Sequence, residues 1–322
     1  MANPHRLSLA SDYRDRGMPV DCLDAGGGLS VTARADLLLE PISRTASIVE
    51  IGAGYNPIAP KIMGWNTKTI DVATKSELIE KYRGHPGVNL DCIEEVDFLW
   101  QDGPLSTAVP SELHGSFDAF IASHVIEHAP DIVAFLDSAT TLLSPTGIMV
   151  LVIPDKRFCF DYFRPLTLAG DVLYSHRMRR TRHTKKTMFN YWAYVVWADG
   201  LGAWGQHSVK NLAFCSSLEH AYREFLTCGE DDDSPYTDSH AWQFTPASFQ
   251  LLLLELARLR VTDWRVDRIG QTQGCEFHAW LRRGGKEAAV ALTESELNAQ
   301  RLALLRRTLL EAKEQIEFLM TT

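Results

Sequence analysis

Residues 123–128 read Ser-His-Val-Ile-Glu-His and place two imidazoles beside a carboxylate. The order H-x-x-E-H is one in which zinc peptidases present their metal ligands. That chemistry requires a continuous helix, because only then do histidines four positions apart face the same ion. Here the preceding segment FDAFIAS (117–123) predicts a buried strand, and Ala129-Pro130-Asp131 begins a new helix. A single turn separates the two elements, so the sequence does not favour a zinc peptidase.

The turn itself can still carry chemistry, because ligands bind at the carboxyl ends of strands in an open α/β sheet. His124 and His128 are the best-placed general bases, since an imidazole accepts protons near neutral pH. Asp155, at the end of the fifth predicted strand, is the third candidate. The alternative is that His128 only hydrogen-bonds to backbone beside the ligand. No metal site is predicted.

An alternation of strands and helices positions these residues. Helices are predicted at 75–84, 131–144 and 245–259, the last with Thr245 as N-cap and Pro246 at the first helical position. The alternation predicts a mostly parallel sheet with helices on both faces. The predicted strands are 46–54, 67–74, 93–99, 117–123, 147–155, 261–270 and 275–283.

A glycine turn follows the first predicted strand, in the segment 49–57. Gly52 and Gly54 allow the backbone to turn tightly and to approach a ligand closely. Asp71 lies 17 residues after Gly54, at the end of the second strand, where an acid can accept both ribose hydroxyls of a nucleoside. NAD and S-adenosylmethionine are the alternatives. Pro57 stands where the NAD fingerprint has its third glycine, which disfavours a pyrophosphate.

These segments together resemble the class I S-adenosylmethionine-dependent methyltransferases over residues 46–155 and 245–283. The resemblance implies a Rossmann-like doubly wound sheet of seven strands, mostly parallel with an antiparallel last strand, and S-adenosylmethionine as cofactor. It implies that the glycine turn holds the methionine part, Asp71 the ribose and the Asp97 segment the adenine. The implied cofactor-binding residues are Glu50, Gly52, Ala53, Gly54, Tyr55, Asn56, Asp71, Asp97, Phe98, Ser123, His124 and Val125.

The chain departs from this family after Gly54. Only about a dozen residues precede the second strand, so the first helix must be short or irregular. The segment 123–128 is also similar to that of ubiquinone-pathway O-methyltransferases, which have E-x-x-E-H there and use a divalent ion. His124 replaces the first glutamate of that pattern. A metal held by His124, Glu127 and His128 is therefore an alternative that this resemblance implies.

The alternation breaks at 156–240, which has no clear strand and which we interpret as a substrate-binding insertion or lid. Its beginning is similar to methyltransferases encoded among bacterial glycan-assembly enzymes. A basic run at 177–186 suits phosphates or acidic groups, and His240 returns the chain towards the site. Aromatic side chains suit sugar rings, and the insertion contains Tyr191, Trp192, Tyr194, Trp197 and Trp204.

Each of these two features has a structural alternative. The aromatic residues can form a small core of the insertion itself, and the basic run can pair with the acidic segment 230–233. If the insertion binds the acceptor, the predicted organisation has four parts. These are an N-terminal cap (1–45), a methyltransferase core (46–155 and 241–284), the insertion (156–240) and a C-terminal helix (285–322).

The C-terminal helix carries apolar residues at a/d spacing over fewer than three heptads. The spacing predicts association of copies into a homo-oligomer, and packing of the helix on its own domain is the alternative. The stripe consists of Leu302, Leu305, Leu309, Ala312, Ile316 and Leu319.

Composition restricts the partners and the compartment. The chain has 322 residues and a formal net charge of -9, which disfavours nucleic-acid binding. The start of the sequence lacks the apolar stretch of a signal peptide, and no apolar run is long enough to span a membrane. These observations predict a cytoplasmic protein. Its six cysteines form no C-x-x-C pair and are expected to be buried free thiols, at positions 22, 92, 159, 215, 228 and 275.

The leading hypothesis is an S-adenosylmethionine-dependent O-methyltransferase of a sugar or glycan-like acceptor, phosphorylated or acidic. A small-molecule N- or O-methyltransferase of secondary metabolism is the alternative enzyme. A non-catalytic, cofactor-binding scaffold that recruits partners through the C-terminal helix is the alternative from another class.

Overall fold

The computed structural model describes residues 30–320, except residue 86 and residues 207–210. Most of the predicted N-terminal cap, with Cys22, therefore lies outside the described residues. The helices are α1 Val31–Leu39, α2 Lys75–Tyr82, α3 Ile132–Leu142, α4 Ala169–Arg177, α5 Lys185–Tyr194, α6 Leu218–Thr227, α7 Pro246–Arg258, α8 Gly285–Ala291 and α9 Glu294–Met320. The strands are β1 Ser47–Ile51, β2 Asn66–Asp71, β3 Phe98–Leu99, β4 Phe117–Ser123, β5 Leu143–Pro154, β6 Val196–Ala198, β7 Leu212–Phe214, β8 Arg265–Ile269 and β9 Glu276–Arg282.

Seven strands form one sheet in the order β3-β2-β1-β4-β5-β9-β8. The strands from β1 to β5 pair in parallel, and β9 lies antiparallel to β5 and to β8. The chain order reverses between β1 and β4, and open sheets of this kind bind their ligands at that point. The predicted doubly wound, Rossmann-like sheet with an antiparallel last strand is confirmed.

Both faces of the sheet are covered, because neighbouring residues of a strand point to opposite sides. Phe120 and Leu151 pack into a buried cluster with α3 and α7 on one face. Ile121 and Val150 pack into a second cluster with α1 on the other face. The central strands are consequently apolar throughout, as expected of parallel strands that are buried on both sides.

The connection between β1 and β2 contains only one short 3-10 helix, Lys61–Met63. This confirms that the first helix of the family is short here. The backbone of this connection is held by Glu50 of β1. The Glu50 carboxylate accepts hydrogen bonds from the backbone N–H groups of Ile58 (2.6 Å) and Ala59 (3.0 Å). A side chain of β1 thus replaces the helical hydrogen bonds that the connection lacks.

The insertion contains α4, α5 and α6 together with a small antiparallel pair, β6 and β7. The sequence did not indicate these strands because each has only three residues. Three of its five predicted acceptor aromatics lie in buried clusters: Tyr191 and Trp192 pack with Phe160, and Trp204 packs with Tyr162. Tyr194 is exposed, and Trp197 is partly buried. This arrangement supports the alternative that the aromatic residues are the core of the insertion.

The C-terminal helix α9 packs against α7 and the start of the insertion. Its Glu311 accepts a hydrogen bond from the backbone N–H of Ala247, and its Glu314 pairs with Arg157 at 2.6 Å. The predicted apolar stripe remains exposed at Leu302, Leu305, Leu309 and Ile316. Across the described ranges, no helix combines the length and the apolar character that a membrane span requires. The five described cysteines are free, and Cys92 is exposed, contrary to the expectation of burial.

Candidate active site

A cavity of about 720 Å³ opens at the carboxyl ends of β1, β2 and β4. Its volume is typical of sites that enclose a small ligand. The wall begins at the glycine turn after β1 and continues onto the insertion. The lining includes most of the predicted cofactor residues, namely Glu50, Gly52, Ala53, Gly54, Tyr55, Asn56, Asp71, Ser123, His124 and Val125, and also His128 and His240.

The glycine turn has the geometry that close ligand approach requires. Gly52 and Gly54 have φ values of +63° and +51°, which side chains rarely tolerate. A Cβ at Gly52 would lie 3.3 Å from Cγ2 of Val125, so a side chain there would require Val125 to shift by a few tenths of an ångström. Glu50 lies beneath this turn, and burial raises the pKa of its carboxyl to about 7.

Asp71 ends β2 beside the glycine turn. Its Oδ1 accepts hydrogen bonds from the backbone N–H groups of Val72 (2.7 Å) and Ala73 (3.3 Å). Among the described residues, no hydrogen bond reaches Oδ2, which leaves this oxygen for a ligand. Burial raises the pKa of the Asp71 carboxyl. The residues on both sides of the switch point therefore fit a nucleoside with adjacent hydroxyls.

His124 occupies the turn after β4 in a left-handed conformation, with φ of +54°. Its Nε2 lies 2.8 Å from a carboxylate oxygen of Glu276, and Arg34 pairs with the same carboxylate at 2.6 Å. Arg34 also donates to the hydroxyl of Ser123. Helix α1, β4 and β9 are thus joined under the cavity, and this network holds His124 in a strained backbone geometry.

Glu127 lies in the following 3-10 turn and is 1% exposed. Neither carboxylate oxygen accepts a hydrogen bond from the residues that the structure describes. Oε1 is instead surrounded by imidazole nitrogens, at 3.7 Å from His124, 3.9 Å from His128 and 4.0 Å from His240. An unsatisfied buried carboxylate is costly, so this arrangement requires a functional explanation.

His240 lies close to this turn because a backbone hydrogen bond joins the segment around His240 to Glu127. The N–H of Ala241 donates to the carbonyl oxygen of Glu127 at 2.7 Å. Nδ1 of His240 lies 2.6 Å from Asp161, and Nδ1 of His128 lies 2.9 Å from Asp238. Glu127, His128 and His240 each offer one ligand atom, and these atoms lie within 4.8 Å of one another. Of the described residues, this set could hold a metal ion.

A sequence profile described as a methyltransferase domain matches residues 6–213, more than half of the chain. The chain belongs to the S-adenosylmethionine-dependent methyltransferases. A ubiquinone biosynthesis O-methyltransferase from Rhodopseudomonas palustris is 31% identical over 154 residues, which cover 46% of this chain and 50% of the relative. The chain thus spans about half the length of the curated relatives it matches.

Two solved structures are similar at low sequence identity. A methyltransferase from Aquifex aeolicus covers 87% of this chain and 93% of its own, with 10% identity and a TM-score of 0.37. Magnesium protoporphyrin IX methyltransferase from Synechocystis, solved with bound S-adenosylhomocysteine, covers 79% of this chain and 81% of its own, with 12% identity and a TM-score of 0.35. The fold assignment of this methyltransferase therefore rests on its strand order.

The methyltransferase does not bring Asp97 and Phe98 to the cavity. Asp97 pairs with Lys61 and with Lys68 instead, and these partners lower the pKa of its carboxyl although burial alone would raise it. Trp100 and Leu105 line the wall in this region. Strand β3 has only two residues, so the chain enters the site a few positions later than the resemblance implied.

Asp155 also lies outside the cavity lining and is fully buried. Arg157 donates to both of its carboxylate oxygens, at 2.9 Å and 2.7 Å, and the hydroxyl of Thr272 donates at 2.6 Å. These bonds leave Asp155 no free lone pair directed at the site. Arg157 also links Asp155 to Glu314 of α9. The prediction of Asp155 as a base is therefore corrected.

The histidines are in acidic surroundings. Burial alone would lower the pKa of His128, but the charges of Asp238 and Glu127 overcome this effect and raise it to about 9. Burial likewise opposes a proton on His124, and Glu276 nevertheless raises the pKa of that ring. The pKa of about 9 keeps the His128 ring protonated near neutral pH when no other cation is present. This charge state disfavours His128 as a free proton acceptor.

The basic run contributes to the far wall of the cavity through Arg179, Arg180 and Arg182. Arg180 faces Glu230 at 3.8 Å, and Arg182 donates to the carbonyl oxygen of Ser234. Arg179 is exposed, and in the described part of the chain its guanidinium has no ion-pair partner. The acidic segment 230–233 therefore contacts this run without neutralising all of it.

Sequence reasoning missed several lining residues, because only the tertiary fold brings them together. Asp238 and Tyr236 precede His240 in a segment with no regular pattern. The one available signal was the density of ionisable and aromatic residues between 236 and 240. The missed residues are Lys81, His85, Trp100, Asp102, Leu105, Phe135, His176, Tyr236 and Asp238.

Proposed function

We propose that this methyltransferase methylates an oxygen of an acceptor that carries an anionic group, with phosphorylated or acidic sugars as the first class to test. The observation that carries the proposal is a single cavity. It joins the glycine turn and Asp71 at one end to Arg179, Arg180 and Arg182 at the other. His124 and His128 of the turn after β4 line the same cavity.

The residues at the first end fit S-adenosylmethionine. Gly52 leaves room where a Cβ would approach Val125. Asp71 keeps one carboxylate oxygen available for ribose hydroxyls. When bound, S-adenosylmethionine supplies an electrophilic methyl group. The chain contributes orientation and the exclusion of water, both of which lower the barrier of an in-line displacement.

The residues at the second end favour an anion. Arg179 is exposed at the cavity wall, and guanidinium groups bind phosphate and carboxylate oxygens through charge-assisted hydrogen bonds. Oxygen as the methylated atom is supported by the curated relatives, which are named O-methyltransferases. The charge carries the proposal about the acceptor, because the aromatic residues that the sequence suggested for a sugar ring do not line the cavity, namely Tyr191, Trp192, Tyr194, Trp197 and Trp204.

The test is a methyl-transfer assay that measures S-adenosylhomocysteine formation with matched acceptor pairs. Each pair contains a hydroxyl compound with a phosphate or carboxylate and its neutral analogue. The proposal expects turnover of anionic members, with kcat/KM at least roughly tenfold above the neutral analogues. Equal turnover of both members would contradict the anionic acceptor. S-adenosylhomocysteine binding without turnover of any acceptor would favour the scaffold alternative.

Arg179→Ala is expected to raise the KM for anionic acceptors roughly tenfold while S-adenosylhomocysteine affinity is unchanged. Arg177→Ala is the matched control, because Arg177 is exposed in the same segment but does not line the cavity. An equal effect of the two substitutions would indicate general electrostatics of the surface rather than a subsite.

We also propose that copies of the chain associate through α9. The support is the exposed stripe of leucines on a helix whose other contacts already fix it to its own domain. Burial of apolar side chains between two such helices would stabilise a dimer.

A further inference from the structure

We propose that Glu127, His128 and His240 bind one divalent zinc or first-row transition-metal ion through one carboxylate and two imidazoles. The inference deepens the proposed function, on which its catalytic meaning rests, because both rings line the same cavity. One of the three ligands, His240, belongs to the insertion and lies outside the segment 123–128.

The distances support a shared ion better than direct hydrogen bonds. Oε1 of Glu127 lies 3.9 Å from Nε2 of His128 and 4.0 Å from Nε2 of His240, beyond hydrogen-bond range. Ligand atoms bound at about 2.0–2.2 Å to one ion are separated by roughly 3–4 Å. The carboxylate is buried and accepts no hydrogen bond from the described residues, so a cation would satisfy it.

Two further carboxylates orient the imidazoles. Asp238 lies 2.9 Å from Nδ1 of His128, and Asp161 lies 2.6 Å from Nδ1 of His240. A proton on each Nδ1 directs the lone pair of Nε2 towards Glu127. Metal-bound histidines in proteins characteristically have such carboxylate partners, which fix the tautomer and raise ligand basicity. Arg164 holds Asp161 in turn, at 2.8 Å.

The ligand set differs from the one suggested by the sequence, which contained His124. Nδ1 of His124 also faces Glu127, at 3.7 Å, but within the described residues His124 does not belong to the group of ligand atoms that lie within 4.8 Å of one another. His240 takes the third position. Two imidazoles and one carboxylate favour zinc or a transition metal, whereas magnesium and calcium prefer oxygen ligands.

The test uses Co²⁺ as a spectroscopic probe of the full-length chain after treatment with EDTA and removal of the chelator. The account expects one Co²⁺ per chain, visible d–d absorption, displacement by Zn²⁺ and no displacement by excess Mg²⁺. Glu127→Gln and His240→Asn should each weaken Co²⁺ binding by at least roughly tenfold. His176→Asn is the matched control, because His176 also lines the cavity and pairs with a carboxylate, Asp131, but lies outside the cluster.

Folding of each variant is checked by titration with S-adenosylhomocysteine in EDTA. Absence of Co²⁺ binding in protein that binds S-adenosylhomocysteine would overturn the metal site and leave the proposed function intact. Wild-type Co²⁺ affinity in His240→Asn, or displacement by Mg²⁺, would overturn the proposed ligand set. Absence of S-adenosylhomocysteine binding in the folded wild-type protein would contradict the proposed function instead.

Discussion

Oε1 of Glu276 lies 2.6 Å from Nε of Arg34, which ties the last strand of the sheet to helix α1 beneath the cavity. Both side chains are buried, and the same carboxylate holds the ring of His124. A pair of this kind is costly to break, because the remaining charge stays buried without a partner. The cofactor end of the site is therefore coupled to the integrity of this pair.

Glu276→Gln is expected to lower the free energy of unfolding by about 3–5 kcal/mol, because it leaves the Arg34 guanidinium buried without a counter-charge. Urea unfolding followed by circular dichroism measures the change. Glu40→Gln is the control, since Glu40 pairs with Arg268 on the exposed surface and should contribute no more than about 1 kcal/mol. Equal effects of the two substitutions would contradict the coupling.

The stability of the protein should depend on pH through Glu50. Its carboxyl has a pKa of about 7 when folded, through burial above all and then through the charge of Glu94, against 4.5 for the free group. The folded state therefore binds more protons than the unfolded state between these values. The contribution of Glu50 to the unfolding free energy is full below pH 4.5 and is lost as pH rises to about 7.

The measurement compares wild type with Glu50→Gln by urea unfolding from pH 4.5 to 8. The unfolding free energy of the wild type, relative to the variant, should fall by about 3 kcal/mol over this range. Glu112→Gln, a substitution of an exposed acid, should show no such trend. A constant difference between wild type and Glu50→Gln would show that folding does not raise the pKa of Glu50.

Association through α9 can be tested with single charges. Leu302→Glu and Leu309→Glu place a carboxylate in the exposed stripe and should convert an assembled species to monomers in light scattering. Leu310→Glu is the matched control, because Leu310 is equally apolar and exposed on the same helix but lies outside the stripe. A wild-type mass equal to that of one chain would contradict the association.

The parts of the site that follow directly from local sequence were predictable. A glycine turn after an apolar strand and an acid at the end of the next strand specified Gly52, Gly54 and Asp71 without knowledge of the fold. The same reasoning misassigned Asp155. This residue lies at the end of a strand, as a site residue would, but Arg157 and Thr272 donate hydrogen bonds to its carboxylate. Position along a strand does not reveal which lone pairs are occupied.

The histidine cluster could be predicted only in part. The turn at 123–128 supplied His128 and Glu127, and His240 was expected to return towards the site. Its convergence with Glu127 depends on a backbone hydrogen bond from Ala241, which no sequence periodicity encodes. The prediction that Asp97 and Phe98 line the adenine part of the cavity was wrong for a related reason. Strand β3 is too short to give a strand pattern, and Trp100 lines the cavity instead of Phe98.

The cofactor site is tested most directly by calorimetric titration of the EDTA-treated protein with S-adenosylhomocysteine. The account predicts saturable binding at one per chain, weakened roughly tenfold or more in Asp71→Asn by the loss of charge-assisted hydrogen bonds. Asp97→Asn should retain wild-type affinity, because Asp97 pairs with lysines outside the cavity. Absence of binding in folded protein free of copurified cofactor would contradict the account, and the glycine turn would then be structural only.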